Sequence, residues 1–271
     1  MTSQADKARA FRALHDRKKL FVIPNPWDGA SAKLLSSLGF EALTTTSAGL
    51  AFVLGLPDGG VTREQSLWNA KLIVDSVDLP VAADLENGFG HRPEDAADAI
   101  RAAAAIGLVG GSIEDATGDP QSPIYDFALA VERVAAAVEA ARALDFPFTF
   151  VARAENYLHG RKDLDDTLKR LQAFEKAGAD VLFAPGLPGI DAIRTVVQSV
   201  GKPVNVVQSA GGIPLAELEA AGVRRVTLGG GLARVALTAL KRAGEEIRAT
   251  GTFGFADDIV TTVWVNELMK R

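Results

Sequence analysis

Eight short apolar runs, rich in β-branched residues, alternate along the chain with longer stretches that have helical spacing. The runs lie at 21–23, 42–46, 81–83, 109–113, 148–152, 181–184, 204–207 and 226–228. Between them, stretches rich in Ala, Leu and Glu occupy 94–106, 127–144, 164–177 and 190–200, among others. Repeated β-α units of this kind predict an α/β protein built on a parallel sheet.

The residues that open these runs alternate in type. Gly precedes the second, fourth, sixth and eighth runs, and Pro opens the third, fifth and seventh: Gly39, Gly107, Gly178 and Gly222; Pro80, Pro147 and Pro203. Gly suits a helix that ends in a left-handed cap, and Pro is tolerated as the first residue of a strand. Eight such units favour a closed (βα)8 TIM-type barrel, and an open doubly wound sheet is the alternative.

The length of 271 residues suits one barrel domain, for which about 250 residues are typical. We expect the barrel at about 20–245. Residues 5–18 predict an amphipathic helix that caps the closed end, with His15 on its surface. Residues 251–271 form an extension ending in an apolar-polar run. The apolar face of that run must be buried on its own barrel or on a neighbour.

Composition excludes several classes of function. With no cysteine, the chain has no disulfide, no thiolate metal site and no cysteine nucleophile. A net charge of -5 with scattered Lys and Arg provides no basic stripe for nucleic acid. No apolar run approaches the ~20 residues of a membrane span, and residues 1–19 lack the apolar stretch of a secretory signal. We therefore expect a cytoplasmic protein.

Polar side chains follow the predicted strands at the point where each strand ends. In β-α barrels, catalytic residues lie at the carboxyl ends of strands and in the loops after them. That rule selects Asn25, Ser47, Asp58, Asp84, Glu86, Glu114, Asp115, Arg153, Glu155, Asn205 and Gln208.

Three of these carboxylates, Asp84, Glu86 and Glu114, follow two successive strands, and no His or Cys belongs to the set. The period-two spacing of Asp84 and Glu86 directs both to the same side. Carboxylate oxygens of this kind favour Mg²⁺, or else Mn²⁺, with water completing the shell. In the alternative interpretation, Asp84 and Glu86 cap the next helix or pair with Arg153.

Small residues after the second strand, Ser47, Ala48 and Gly49, let backbone N–H groups approach an anion such as a carboxylate. Arg153 suits a bidentate grip on a substrate carboxylate, and it could equally neutralise Glu155 or Glu114. His159, just past the fifth strand, could serve as an acid or base, or could simply be solvated.

These motifs together resemble the isocitrate lyase and phosphoenolpyruvate mutase superfamily over about residues 20–240. Five segments carry the likeness, in the family's order: Ser47-Ala48-Gly49 with Asp58 downstream; Asp84-Leu-Glu86-Asn-Gly-Phe-Gly90; Ile113-Glu114-Asp115; Val151-Ala-Arg153-Ala-Glu155; and Pro203-Val-Asn205-Val. The likeness implies a Mg²⁺-dependent barrel that acts on α-keto or α-hydroxy acids through an enolate. It implies Asp84, Glu86 and Glu114 on the metal side and Ser47, Ala48, Gly49, Arg153 and Asn205 at the substrate. It also implies a homo-oligomer, a dimer or a tetramer, that exchanges a C-terminal helix.

The loop after the fourth strand departs from the family pattern. The lyases carry a Lys-x-Cys-Gly-His segment there and the phosphonate enzymes a Lys or Asn, whereas residues 116–126 of this chain offer no Cys, Lys or His. Tyr125, His159 or a metal-bound water would have to replace the usual proton donor.

The sequence therefore predicts a Mg²⁺-dependent carbon-carbon lyase or decarboxylase for a small α-keto or α-hydroxy dicarboxylate. Decarboxylation fits the missing Cys better, because departure of CO2 needs no base. One alternative is phosphonopyruvate or phosphoenolpyruvate mutase or hydrolase chemistry, with Asp58 near the transferred group. Another is a non-catalytic protein that binds α-keto acids.

Overall fold

The computed structural model describes residues 2–208 and 211–270, and its centre is one sheet of eight parallel strands. The strands are β1 Phe21–Val22, β2 Leu43–Thr44, β3 Val81–Asp84, β4 Gly110–Glu114, β5 Thr149–Arg153, β6 Val181–Phe183, β7 Val204–Val207 and β8 Arg225–Thr227. Each predicted run contains a strand or overlaps one, with ends shifted by one or two residues. The strands are this short because each extends only as far as its neighbours pair with it.

Helices follow the strands in order. They are α1 Gln4–Asp16, α2 Gly29–Ser37, α3 Ser47–Val53, α4 Arg63–Ser76, α5 Pro93–Ala105, α6 Phe127–Arg142, α7 Leu164–Lys176, α8 Ile190–Ser199, α9 Leu215–Ala220, α10 Gly231–Thr250 and α11 Thr262–Met269, with a 3-10 turn at Gly254–Asp258. None of the helices in the described part of the chain has the length and apolarity that a bilayer crossing demands.

The sheet curls into a TIM-type barrel, as predicted. Its strand order is β1-β8-β7-β6-β5-β4-β3-β2, every pairing is parallel, and Thr44 N donates to Pro24 O at 3.1 Å between the two outer strands. Alternate residues face the helices, where most of the apolar core lies, and the others face the interior. The four glycines before the even-numbered strands all have positive φ, which confirms the predicted caps: Gly39, Gly107, Gly178 and Gly222.

Helix α1 closes the amino-terminal end of the barrel with an apolar face. Phe11 of this helix packs on Phe21 and other interior residues at that end. His15 is buried there as well, 7 % exposed, with its ring 4.8 Å from that of Phe11 and 5.0 Å from that of Phe21. The expectation of a surface histidine was therefore wrong, because helical spacing alone did not show which face of α1 docks.

The carboxyl-terminal part of the chain leaves an apolar surface exposed. Ala233 is the one residue of α10 that is buried, whereas Val235, Leu240 and Ile247 are exposed. Helix α11 lies against α2 of the same chain, with Lys33 Nζ donating to Met269 O at 2.6 Å. The apolar face of the extension is thus only partly covered.

Candidate active site

A cavity of about 190 Å³ opens at the carboxyl ends of the strands. Its lining combines strand-end and interior side chains: Asn25, Ser47, Asp58, Asp84, Ser112, Val151, Arg153, Phe183, Asn205, Arg225 and Thr227, among others. A wider outer cleft of about 480 Å³ shares Ser47, Asp58 and Arg153 with it and adds Glu86, Glu114, Glu155 and His159. The two spaces form one site, in which the barrel rule places most of the predicted residues.

Asp84, the last residue of β3, is held in place from three directions. Its backbone N donates to Thr45 Oγ1 at 3.0 Å, and its carboxylate accepts from Ser47 Oγ at 3.0 Å and from Arg153 Nη1 at 2.9 Å. The carboxylate therefore has a fixed orientation beside the cavity.

Glu86 reaches the site by a different route from the one the spacing suggested. The strand ends at Asp84, and Glu86 has a φ of 48°, which is uncommon for a residue other than glycine. Burial, together with the negative charges of Asp84 and Asp58, raises the pKa of Glu86 to about 7. A sharp backbone turn, rather than strand alternation, thus places this carboxyl near the other acids.

Arg153, the last residue of β5, contacts three carboxylates. Its guanidinium lies 2.9 Å from Asp84, 3.0 Å from Glu114 and 2.9 Å from Glu155. Burial alone would lower the pKa of Arg153, but these acids raise it above its usual value. The neutralising role considered for Arg153 is therefore present, and its cation sits where negative charge is concentrated.

The acids near Arg153 do not make a ready-made metal centre. Within residues 2–208 and 211–270, no three His, Cys, Asp or Glu side chains are arranged to hold a metal ion. Burial nevertheless raises the pKa of Glu114 well above its usual range and that of Asp58 as well, and Asp84 contributes to both shifts. Mutual repulsion of this kind would be relieved by a cation, and the donors are the hard oxygens that Mg²⁺ prefers. The residues therefore fit a magnesium ion held partly through water.

Residues Ser47, Ala48 and Gly49 form the first turn of α3. Ser47 and Ala48 line the cavity, and Thr46 caps the helix by accepting a hydrogen bond from Gly49 N at 3.2 Å. A Cβ on Gly49 would lie 2.5 Å from Thr46 Cγ2, so the close turn requires glycine. The N–H of Gly49 is thus used inside the turn, which leaves Ser47 and Ala48 as the members of the trio that face the cavity.

Four other predicted residues have mainly structural partners. Asn25 accepts from Leu228 N and Gly229 N and donates to Thr45 O, which ties three strand ends together. Asp115 pairs with Arg170 at 2.9 Å, and Gln208 accepts from Ile213 N. Asn25 and Asn205 also line the cavity; Asn205 Nδ2 donates to Thr227 Oγ1, and its buried Oδ1 has no partner among the described residues.

The two candidate proton donors lie in different surroundings. His159 is exposed and lines the outer cleft. Tyr125 is buried, its hydroxyl lies 2.8 Å from His91 Nδ1, and Arg133 stacks 4.5 Å from its ring. Burial raises the pKa of Tyr125. Tyr125 lines neither the cavity nor the cleft, so His159 has the better access.

The sequence interpretation missed three polar residues of the barrel interior: Ser112, Thr227 and Arg225 line the cavity. Ser112 lies inside β4 and Arg225 begins β8, so the rule about strand ends does not select them, whereas Thr227 ends β8 and was overlooked. Strand alternation could have pointed to Arg225, because it precedes Thr227 by two residues and therefore faces the same side of β8. In the structure it pairs with Asn205 of β7.

Comparisons with known proteins agree with this fold. The family model described as phosphoenolpyruvate phosphomutase matches residues 11–248. A candidate lyase or mutase from Burkholderia cenocepacia J2315 has a solved structure that is 55 % identical in sequence, with a TM-score of 0.97 over 99 % of this chain and 98 % of that one.

Two more distant proteins have named activities. The 2,3-dimethylmalate lyase of Eubacterium barkeri is 27 % identical over 97 % of this chain and 93 % of its own length. A phosphonopyruvate hydrolase, solved with oxalate and Mg²⁺, is 25 % identical, with a TM-score of 0.88 over 97 % of this chain and 95 % of that one.

Proposed function

The chain belongs to the phosphoenolpyruvate phosphomutase family, within the isocitrate lyase and PEP mutase superfamily, and from that premise we propose that it is a Mg²⁺-dependent lyase or decarboxylase. Its substrate would be a small α-keto or α-hydroxy dicarboxylate. The observation that carries the proposal is the group of acids, Asp58, Asp84, Glu86 and Glu114, around one cavity that also contains Ser47 and Arg153.

Asp84, Glu86 and Glu114 would hold the metal ion. Asp84 and Glu114 already contact Arg153, so water would complete much of the coordination. When bound, Mg²⁺ supplies positive charge beside the substrate's carboxylate and carbonyl oxygens. Two relatives each support a part of this proposal: one is a 2,3-dimethylmalate lyase, and the other, a phosphonopyruvate hydrolase, was solved with oxalate and Mg²⁺.

The remaining residues would bind the substrate and stabilise the charge that develops. Ser47 and Ala48 line the cavity beside Asp84 and would hold the substrate carboxylate, with Gly49 shaping their turn. Arg153 is a fixed cation, so it would stabilise the enolate oxygen without reorganising. Asn205 would contact the part of the substrate that extends into the barrel.

Proton transfer distinguishes the two bond cleavages. Loss of CO2 leaves its electron pair on the substrate as an enolate, which then needs only a proton on carbon. Retro-aldol cleavage also needs a base for the substrate hydroxyl. His159 in the outer cleft and Asp58, whose pKa burial raises, are the candidates for the proton carrier. Tyr125 would instead position the loop after β4 through its contact with His91.

The test is a product assay with purified protein and Mg²⁺, corrected for the spontaneous decay of oxaloacetate. Oxaloacetate, 2-methylisocitrate, several alkylmalates and phosphonopyruvate are offered, and pyruvate, CO2 and phosphate are followed. Pyruvate with CO2 supports decarboxylation, and pyruvate without CO2 supports retro-aldol cleavage. Phosphate release would replace the proposal by phosphonate chemistry near Asp58, and binding without turnover would replace it by a sensor. Turnover unaffected by EDTA would exclude the metal assignment.

We also propose that this enzyme acts in the cytoplasm as a homo-oligomer, a dimer or a tetramer, that exchanges its C-terminal helices. The support for association is the apolar face of α10, where Val235 is 65 % and Leu240 70 % exposed; in an exchange, α11 would pack on α2 of a neighbouring chain instead of its own. A Leu240→Glu variant is expected to lower the molar mass measured by light scattering at equal concentration, because a charge in an apolar interface is costly. Thr238→Glu, on the same helix, tests whether any added charge has this effect. An unchanged mass in Leu240→Glu would contradict the proposal.

A further inference from the structure

Arg225 is a buried arginine at the floor of the cavity. It is the first residue of β8, is 3 % exposed, and lies beside Asn205 in the pairing of β7 with β8. Its guanidinium carbon is 5.8 Å from the centre of the Phe11 ring, on the helix that closes the barrel from below. Arg225 thus lies between the closing helix and the cavity that it lines.

The guanidinium of Arg225 lacks the partners that the other buried arginines have. Among the described residues, its Nε and Nη1 atoms have no hydrogen-bond partner and are enclosed by packing, so Nη2, which is not enclosed, is the atom that can meet a ligand. Arg170, equally buried, contacts Asp115 at 2.9 Å and Asp166 at 2.8 Å, and Arg153 contacts three carboxylates. A buried cation without a counter-charge is costly, so its persistence needs a reason other than stability.

Burial lowers the pKa of Arg225 to about 9, which still leaves the group charged at neutral pH. The cavity volume of about 190 Å³ far exceeds the ~15 Å³ that one water molecule needs. The cavity as a whole therefore has room for a small organic anion, and Arg225 is the cation at its floor.

The two ends of the cavity favour opposite charges. Asp58, Asp84 and Glu86 lie at the open end, where a second substrate carboxylate would be repelled unless a metal ion held it. At the floor, Arg225 forms no ion pair with any acid in the described part of the chain. A small diacid would place one carboxylate at the metal and extend the other toward the floor.

We propose that Arg225 binds the second carboxylate of the substrate and so selects dicarboxylic over monocarboxylic acids. This specificity role rests on the proposed function. Replacing the carboxylate by a methyl group would leave the guanidinium unpaired in the complex, which disfavours monoacids.

The test compares acids that differ only at the remote end, by calorimetric titration in the presence of Mg²⁺. The pairs are 2-oxoglutarate with 2-oxopentanoate and malate with 2-hydroxybutyrate. We expect the wild-type protein to bind the diacid of at least one pair about tenfold or more tightly than its monoacid. Arg225→Met should abolish that preference and leave monoacid affinity within about twofold. Arg225→Lys, which keeps the charge, should retain part of it.

Other outcomes overturn the inference in distinguishable ways. Equal affinity for both members of each pair in the wild type removes the role of Arg225 but leaves the proposed function standing. If Arg225→Met still binds diacids more tightly than monoacids, another residue is responsible for that preference. Sodium phosphate or chloride could stabilise the wild type thermally but not Arg225→Met, while neither protein prefers diacids. That result would mean that an inorganic anion occupies the floor. Absence of binding by all four acids would overturn the proposed function together with the inference.

Arg225→Met should fold, because it replaces an unpaired charge by an apolar side chain, and its melting temperature verifies this.

Discussion

The acidic rim and the cationic floor of the cavity contrast in how their charges are balanced. We define the rim as Asp58, Asp84, Glu86 and Glu114, of which Asp84 and Glu114 contact Arg153, and the floor as Arg225 with Asn205. The rim has more negative than positive charge, and the floor has a positive charge without an acid. Each imbalance fits a ligand of opposite sign. The contrast therefore indicates a ligand pair, a cation at the rim and an anion that extends from it to the floor.

The largest effect is expected at the rim. Asp84→Asn keeps the shape of the side chain but removes the charge that faces Ser47 and Arg153. We expect kcat/KM to fall by about 10²–10³-fold, because the rim then binds the metal poorly. Stabilisation by added Mg²⁺ in thermal melts should disappear as well. Asp75→Asn, an exposed acid of α4 paired with Lys71, is the matched control. Retained Mg²⁺ stabilisation in Asp84→Asn would contradict the metal assignment.

Two buried arginines, Arg170 and Arg225, differ in the expected role of their charge. Arg170 stabilises the fold, whereas Arg225 is expected to bind a ligand. Arg170→Met would leave the buried carboxylate of Asp115 without its cation, and we expect a loss of about 3–5 kcal/mol in the free energy of unfolding by urea. Arg225→Met should instead leave that free energy unchanged or raise it. A loss in Arg225→Met as large as that in Arg170→Met would show that Arg225 stabilises the fold.

The rim and the floor also differ in how far the sequence could predict them. The eight units, the glycine caps and the rim residues follow from local pattern, because parallel strands bring their carboxyl ends to one edge. The floor lies inside the barrel, and Arg225 precedes the eighth predicted run, 226–228, although it begins β8 in the structure. Its importance depends on the absence of a neighbouring acid, which only the packing of non-adjacent segments determines.

His15 shows the same limit on the closing helix. Amphipathic spacing predicts α1, but the face that docks depends on the interior side chains that it meets, here Phe21. At the rim, the three partners of Arg153 come from β3, β4 and the loop after β5, so the sequence allowed their contact without showing it. The turn at Glu86 was hidden too, because a positive φ at a glutamate has no reliable sequence signal.

A further prediction is a gradual, acid-induced loss of stability near the floor. Burial, with the nearby charge of Arg225, lowers the pKa of His15 to about 3, whereas an unfolded histidine titrates near 6.5. The unfolded chain therefore binds a proton that the folded one refuses. The stability is fully present above pH 6.5 and is lost as the pH falls toward 3, by up to about 4 kcal/mol.

The free energy of unfolding by urea is measured at several pH values for the wild type and for His15→Gln, which has no imidazole to titrate. The change with pH in the difference between the two proteins gives the contribution of His15. A difference that stays constant from pH 7 to pH 4 would contradict it. Arg225→Met sharpens the comparison, because without the guanidinium His15 should accept its proton at a higher pH. The acid loss should then begin at the same pH and be smaller. That result would show that the unpaired charge of Arg225 acts on the closing helix as well as on the cavity.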